Sequence, residues 1–105
     1  ASWCKPCRDE KENVRTNYEK YHPKGFEIIG LSFDTNLSAW KNCITSMKLG
    51  WIQLSDLKGW KSIASDKYGI RSIPANLLLD PEGKIVTSNL RGNELGDKLQ
   101  QLYNF

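Results

Sequence analysis

The chain has 105 residues and a net charge of +3, and 39% apolar residues stand beside 26% charged ones. That balance is typical of a globular chain rather than a disordered one, and the length predicts a single domain over residues 1–105. No apolar run approaches the roughly 18 residues that a membrane-spanning helix needs, and no basic stripe interleaved with aromatics indicates nucleic-acid binding.

The first half of the chain is predicted to contain a helix, a strand and a second helix. Residues 4–21 carry apolar side chains at helical spacing, and Pro23 ends that helix because proline cannot continue it. The apolar run at 26–33 has the length of a strand and suits a parallel strand covered on both faces. Residues 34–36 form a turn with good N-cap residues, and an amphipathic helix is predicted over about 37–50.

The second half is predicted to alternate in the same way and then to end in a hairpin and a helix. Its predicted elements are, in order, a short strand at 51–54, a helical stretch from Ser55 or Asp56 to Gly69, strands at 75–79 and 84–90 joined by a turn at 80–83, and a helix after Gly92. This order predicts an α/β fold, with helices packed on both faces of a sheet.

The pair Cys4 and Cys7 is spaced for redox or metal chemistry, because a framework of structural disulfides would use an even number of cysteines and the chain has three. The two thiols are predicted to lie in the first turn of the helix, with Cys4 near the N-cap. The free N–H groups and the dipole of a helix start stabilise a thiolate, which is the attacking species. Cys7 lies one turn further in on the same side and is expected to be less exposed. Cys4 is therefore predicted to attack a target disulfide, and Cys7 to resolve the mixed disulfide.

The two residues between the cysteines fit this arrangement. Pro6 is compatible with a first helical turn, where its missing N–H would be unsatisfied in any case. Lys5 places a cation beside Cys4, which favours the thiolate, although solvent screens an exposed charge. A Lys5→Glu change is therefore expected to disfavour the Cys4 thiolate.

Zinc binding is the alternative for a cysteine pair of this spacing. Structural zinc needs four ligands, and beyond the pair the chain offers only His22 and the distant Cys43, so no metal site is predicted. His22 is instead interpreted as a cap at the C-terminus of the first helix. Cys43 is interpreted as a buried free cysteine that packs as a small hydrophobe.

Two segments resemble motifs of the thioredoxin-like superfamily. Residues 1–8 (ASWCKPCR) are similar to the active-site segment A-x-W-C-G-P-C, and residues 68–74 (YGIRSIP) to the segment Y-G-I-R-x-I-P. The motifs come in the family's order, which makes the resemblance specific. The active-site residues that it implies are the catalytic Cys4 and Cys7 and the flanking Trp3, Lys5 and Pro6.

The second motif carries the cis-proline of that superfamily. By resemblance, the Ile73–Pro74 peptide bond is expected to be cis. Only about 5–6% of X–Pro bonds in folded proteins are cis, so this is a specific expectation. Such a bond turns the Ile73 backbone toward the cysteines, where it can pair with an extended substrate segment. Ile73 and Pro74 are therefore expected to bind substrate.

Within the superfamily the whole chain is most similar to the TlpA/ResA-like envelope thiol–disulfide oxidoreductases, which carry additional residues between the two motifs. The resemblance implies a protein of the bacterial cell envelope or periplasm, compatible with a membrane tether upstream of this chain. Its implied partners are protein disulfides or dithiols and an upstream thiol electron donor, with no nucleic acid and no cofactor besides the Cys4–Cys7 disulfide. Lys5 replaces a glycine and Ala75 a threonine of the thioredoxin pattern, which affects the expected redox potential rather than the reaction class.

Two other functions stay open at the level of the sequence. The chain could be a redox-inactive binding module that keeps the thioredoxin fold, although the intact Cys4, Cys7 and Pro74 argue against that. It could also be a peroxiredoxin-like peroxidase, but no P-x-x-x-T-x-x-C peroxide site is present.

The thioredoxin fold places a central strand directly before the cysteine motif, and here the sequence opens at Ala1. The strands at 26–33 and 75–79 are therefore expected to lie two strand spacings apart, roughly 9–10 Å, with an empty slot between them. In thioredoxins a buried acid on the missing strand assists the second cysteine, so no residue is assigned to that role. Bare strand edges of this kind predict poor stability for these 105 residues alone.

Overall fold

Four α-helices and four strands lie along residues 1–104, the part of the chain that the computed structural model describes. Their order confirms the predicted one. The elements are α1 (Lys5–Tyr21), β1 (Ile29–Leu31), α2 (Leu37–Ser46), β2 (Ile52–Leu54), α3 (Ile63–Tyr68), β3 (Leu77–Leu79), β4 (Ile85–Ser88) and α4 (Asn93–Tyr103). None of these helices is both long enough and apolar enough to cross a membrane.

Helix α1 begins and ends where the sequence predicts. Its last residue, Tyr21, is followed by His22, whose backbone N–H donates to the Tyr18 carbonyl and so caps the helix. A short 3-10 turn over His22–Lys24 then ends at Gly25, which has a φ of 103°. This region of backbone space favours glycine, so the chain can reverse direction at this point.

Helices α2 and α3 are shorter than predicted. Helix α2 ends at Ser46 rather than near Gly50, and Lys48 just beyond it has a φ of 54°, which no helix accommodates. The predicted helical stretch before Gly69 is helical only in a 3-10 turn at Gly59–Lys61 and in α3. Positive φ values at Leu57 and Gly59 interrupt it, and α3 begins only after its own cap at Ser62.

The strands form two separate two-stranded sheets among residues 1–104. β1 pairs with β2 in parallel, with Ile29 opposite Ile52, and β3 pairs with β4 in an antiparallel hairpin, with Leu77 opposite Ser88. The predicted strands at 26–33 and 75–79 are therefore present in shorter form, but not in one sheet. No hydrogen bond joins β1 to β3. Direct pairing of these two strands would have contradicted the slot that is expected between them. The strand expected between them stays a prediction.

The packed core lies where α4 crosses α1. Its buried residues are Tyr21, Phe26, Leu95 and Leu99. The crossing is close, because a Cβ added at Gly96 of α4 would come within 3.2 Å of the Asn17 Oδ1 atom on α1. Partly buried residues from α1, from β3, from the chain just before β1 and just after β4, and from α4 complete the cluster: Val14, Ile28, Leu78, Leu90 and Tyr103. Helix α1, whose first turn carries the cysteine pair, is thereby fixed to the opposite end of the chain.

Candidate active site

The cysteine pair occupies the first turn of α1, as predicted. Cys4 is the N-cap residue, with an extended backbone (φ −94°, ψ 99°), and Cys7 lies one turn later. The two form a disulfide with a Cα–Cα distance of 5.2 Å, within the range that a disulfide spans. The second helical position is Pro6, where a missing N–H leaves no helical hydrogen bond unmade.

The backbone at this helix start stabilises a negative charge on the Cys4 sulfur. The Cys7 amide N–H donates to the Cys4 Sγ atom at 3.2 Å, so the sulfur takes the place that a serine or aspartate oxygen takes in an ordinary N-cap. No acidic residue lies in the first turn of α1 to oppose that charge. A Cys4 thiolate formed on reduction is therefore stabilised by a backbone amide and by the helix dipole.

The sequence predicts that Cys7 is less exposed than Cys4, and the structure contradicts this. Cys4 is 5% exposed and Cys7 7% exposed, so Cys7 is not the less exposed of the two. The expectation was wrong because the chain before α1 does not leave Cys4 open. It forms a turn over residues 1–4, in which the Cys4 amide donates to the Ala1 carbonyl at 3.1 Å. Exposure therefore does not separate the roles of the two sulfurs.

The Lys5 side chain is turned toward Asp9. Its Nζ atom lies 2.9 Å from the Asp9 carboxylate, and the two side chains are 76% and 64% exposed. An exposed ion pair of this kind contributes little to stability. It also offsets part of the positive charge beside Cys4, so an effect of Lys5 on the Cys4 thiolate stays a prediction.

Trp3 lies at the edge of an exposed aromatic cluster beside Cys4. Trp3 is 52% exposed, and its ring centroid is 6.4 Å from that of Trp60, which is itself 45% exposed. Trp60 packs on the buried Phe33 at 5.1 Å. These half-exposed rings give the surface next to the disulfide an apolar patch whose inner side is anchored in the core.

Asp34 is a site residue that the sequence analysis missed, since it assigned residues 34–36 only to a turn. It is 1% exposed, and both of its carboxylate oxygens accept the Ser2 amide at 3.0 Å. The hydroxyls of Ser2 and Ser32 donate to the same carboxylate. The buried acid thus fastens the segment before Cys4 to the end of β1. A single aspartate directly after an apolar strand was the available signal.

These contacts keep Asp34 ionised. Burial of the carboxylate alone would raise its pKa, but the Ser2 hydroxyl, the Ser32 hydroxyl and the Ser2 amide together hold the pKa below its ordinary value. The hydrogen bonds to Ser2 are therefore charge-assisted, which makes them stronger than neutral ones.

Ile73 and Pro74 lie in the loop before β3, and the Ile73–Pro74 peptide bond is cis, as the resemblance implies. Both residues are half-buried. The Pro74 carbonyl accepts a hydrogen bond from the Arg91 side chain. The Ile73 backbone N–H and C=O have no hydrogen-bond partner within residues 1–104, nor does any hydrogen bond join this loop directly to the cysteine pair.

The third cysteine faces a cleft between α1 and α2. Cys43 is half-buried rather than buried, with its Sγ atom 3.9 Å from the Met47 Sδ atom. It differs from the expectation because it lines this open cleft, on a helix that has no buried residue. The cleft is lined by Ser2, Lys5 and Arg8 on one side and by Ala39, Cys43 and Met47 on the other. Across the described part of the chain, no three His, Cys, Asp or Glu side chains cluster as metal ligands would.

Comparison with known proteins places this site in a family. The model of a thioredoxin-like family matches residues 1–85. The thiol-disulfide oxidoreductase ResA of Bacillus thuringiensis (strain Al Hakam) is 35% identical over 100 residues, which cover 95% of this chain and 56% of that protein. Human nucleoredoxin is 32% identical, over 93% of this chain and 23% of its own length.

A solved structure shares the fold described above. The structure of a thiol-disulfide oxidoreductase from Bacteroides fragilis superposes with a TM-score of 0.90 at 34% identity, over 97% of this chain and 75% of that one. This chain spans little more than half the length of the curated ResA proteins that it matches. With its cysteine pair at the start of α1 and its cis-proline before β3, the chain belongs to the thioredoxin-like family.

Proposed function

We propose that this chain is a thiol–disulfide oxidoreductase that exchanges disulfides with protein substrates through Cys4 and Cys7. The observation that carries the proposal is the Cys4–Cys7 disulfide across the first turn of α1, with Cys4 as the N-cap. Two further facts support it: ResA and the Bacteroides fragilis protein are both named thiol-disulfide oxidoreductases.

In the reducing direction the reaction is two successive exchanges. The Cys4 thiolate attacks one sulfur of the substrate disulfide, forming a Cys4–substrate disulfide and releasing the other substrate sulfur as a thiolate that takes a proton. The Cys7 thiolate then attacks the Cys4 sulfur, forms the Cys4–Cys7 disulfide and releases the second substrate thiol. The substrate gains two electrons and two protons, and the cysteine pair loses them. An upstream dithiol donor reduces the Cys4–Cys7 disulfide again. No cofactor besides this disulfide is proposed.

We assign substrate contact to the surface around the pair. The half-exposed Trp3 lies next to Cys4 and offers an apolar platform. The Ile73 N–H and C=O, which are unpaired among residues 1–104, offer a donor and an acceptor to an extended substrate segment, in the manner of strand addition. Location in the bacterial cell envelope, with a membrane tether upstream, is part of the proposal and is based on the resemblance to TlpA/ResA-like proteins.

The proposal is tested by reduction of insulin with dithiothreitol as the electron donor. The wild-type chain should accelerate insulin precipitation, and Cys4→Ser and Cys7→Ser should each abolish the acceleration. Cys43→Ser is the matched control and should leave the rate unchanged. A wild-type chain without effect would identify a redox-inactive binding module, and consumption of hydrogen peroxide instead of insulin disulfides would identify a peroxidase. A measured reduction potential then decides the direction of the reaction.

A further inference from the structure

The chain between β4 and α4 contains the 90–92 segment, which consists of Leu90, Arg91 and Gly92. This segment is hydrogen-bonded to the loop that carries Pro74. The Arg91 Nη2 atom donates to the Pro74 carbonyl. Two residues further along that loop, the Asn76 side chain donates to the Leu90 carbonyl at 2.7 Å and accepts the Leu90 amide at 3.0 Å. One side chain from each segment thus reaches the backbone of the other.

The same segment also binds α1. The Gly92 amide donates to the Glu10 carboxylate at 2.8 Å, and the Asn13 side chain donates to the Gly92 carbonyl at 2.7 Å. Glu10 and Asn13 lie on α1 within two turns of Cys7. Gly92 has a φ of 55° and a ψ of −129°, a backbone conformation that residues with a Cβ rarely adopt. That conformation presents both of its backbone polar groups to α1.

The 90–92 segment therefore connects the two halves of the proposed site, between which no direct hydrogen bond runs in the described part of the chain. The cysteine pair lies at the start of α1, and the free Ile73 backbone lies beside the bonded Pro74 carbonyl. The guanidinium of Arg91 is the side chain that reaches the Pro74 end. Because Arg91 already occupies the Pro74 carbonyl, a substrate backbone can pair instead with the neighbouring Ile73 N–H and C=O, which have no partner within residues 1–104.

We infer that Arg91 is a positioning residue for protein substrates: by holding the Pro74 carbonyl it fixes the Ile73 backbone relative to Cys4. This inference rests on the proposed oxidoreductase function. A protein substrate pairs with the Ile73 backbone, so its binding depends on Arg91. A small disulfide that reaches only the cysteine sulfurs does not use that backbone and does not depend on Arg91.

The experiment compares two substrates on the full chain and on three variants. Arg91→Ala removes the donor to Pro74, and Arg91→Lys keeps a cationic donor there. Arg71→Ala is the matched control, because Arg71 is an exposed arginine near the same loop whose one hydrogen bond within residues 1–104 goes to the adjacent Ile70 carbonyl, at 3.4 Å. The substrates are insulin and 5,5′-dithiobis(2-nitrobenzoic acid), and the reduction potential of each variant is measured as well.

For Arg91→Ala we expect kcat/KM for insulin to fall about tenfold, mainly through KM, the equivalent of one lost hydrogen bond to a charged donor. The rate with the small disulfide and the reduction potential should stay unchanged. Arg91→Lys should recover most of the loss, and Arg71→Ala should match the wild type.

Three results would overturn the inference: equal loss on both substrates, no loss on either, or a lysine variant as poor as the alanine variant. A wild-type chain that is inactive on both substrates would contradict the proposed function itself, which is a different outcome from a wild-type chain that is active and indifferent to Arg91.

Discussion

The two sulfur atoms of the site differ in what the backbone offers to a negative charge. The Cys4 Sγ atom accepts the Cys7 amide at the N-terminus of α1, whereas no hydrogen bond reaches the Cys7 Sγ atom from any of residues 1–104. The two residues are almost equally buried, so access does not distinguish them. The helix start is therefore the physical reason for assigning the attacking role to Cys4.

Alkylation of the reduced protein tests this assignment directly. With limiting iodoacetamide near pH 7, Cys4 should be modified before Cys7 and before Cys43, because the thiolate is the reacting form. Peptide mass spectrometry at short times gives the order. First modification of Cys7 would contradict the assignment, and first modification of Cys43 would place the most reactive thiol outside the pair.

The lowered pKa of Asp34 predicts that the free energy of unfolding depends on pH. Its pKa is lower in the folded chain than in the unfolded one, so the unfolded chain binds more protons at moderately acidic pH. The stabilisation is complete above the unfolded value of about 3.9 and is lost as the pH falls through the lower, folded value. Asp34→Asn should therefore weaken the fold at pH 7 by about 1–3 kcal/mol and flatten the acid limb of the stability curve.

Urea denaturation between pH 7 and pH 2 provides the measurement. Asp97→Asn, at an exposed position of α4, is the matched control and should leave the free energy of unfolding within about 0.5 kcal/mol of the wild type. An Asp34→Asn curve that coincides with that of the wild type would show that this carboxylate does not hold the segment before Cys4, and a lower but parallel curve would contradict the predicted pH dependence.

At the scale of elements, α2 depends unusually on its own ends. None of its ten residues is buried, so packing alone supports it weakly. Its N-cap is Asn36, whose Oδ1 atom accepts the Ala39 amide at 2.9 Å. Because α2 forms one wall of the cleft beside Lys5 and Arg8, the stability of this helix affects the surroundings of the cysteine pair.

Removal of the cap should be measurable. Asn36→Ala should lower the free energy of unfolding by about 1 kcal/mol, and Asn36→Asp, which keeps a capping oxygen, should cost little. Amide hydrogen exchange should show faster exchange confined to α2 in the alanine variant. Equal stability of the two variants would mean that the cap contributes nothing here.

At the scale of the whole molecule, the contact between α1 and α4 carries the core. Leu99 is 1% exposed in that contact, whereas Leu102, on the same helix, is 50% exposed. Leu99→Ala should lower the free energy of unfolding by about 2–5 kcal/mol, the range for a buried leucine. Leu102→Ala should cost less than about 1 kcal/mol. Chemical denaturation of both variants compares them, and similar costs would contradict the placement of the core.

Local signals in the sequence determined the order of the elements and the position of the cysteine pair. The start of α1 at Cys4, the turn after Tyr21 and the close of α3 at Gly69 each depend on residues only a few positions apart. Proline, glycine and N-cap chemistry act over that range. For the same reason the site could be recognised from two short motifs, one around Cys4 and one around Pro74.

Only the tertiary structure decided which distant residues complete the site. Ser2 meets Asp34 across 32 positions and Arg91 meets Pro74 across 17, and nothing in the local sequence marks either pair. The physical reason is that such contacts depend on where the whole chain brings its segments together, whereas sequence patterns report only the preferences of neighbouring residues.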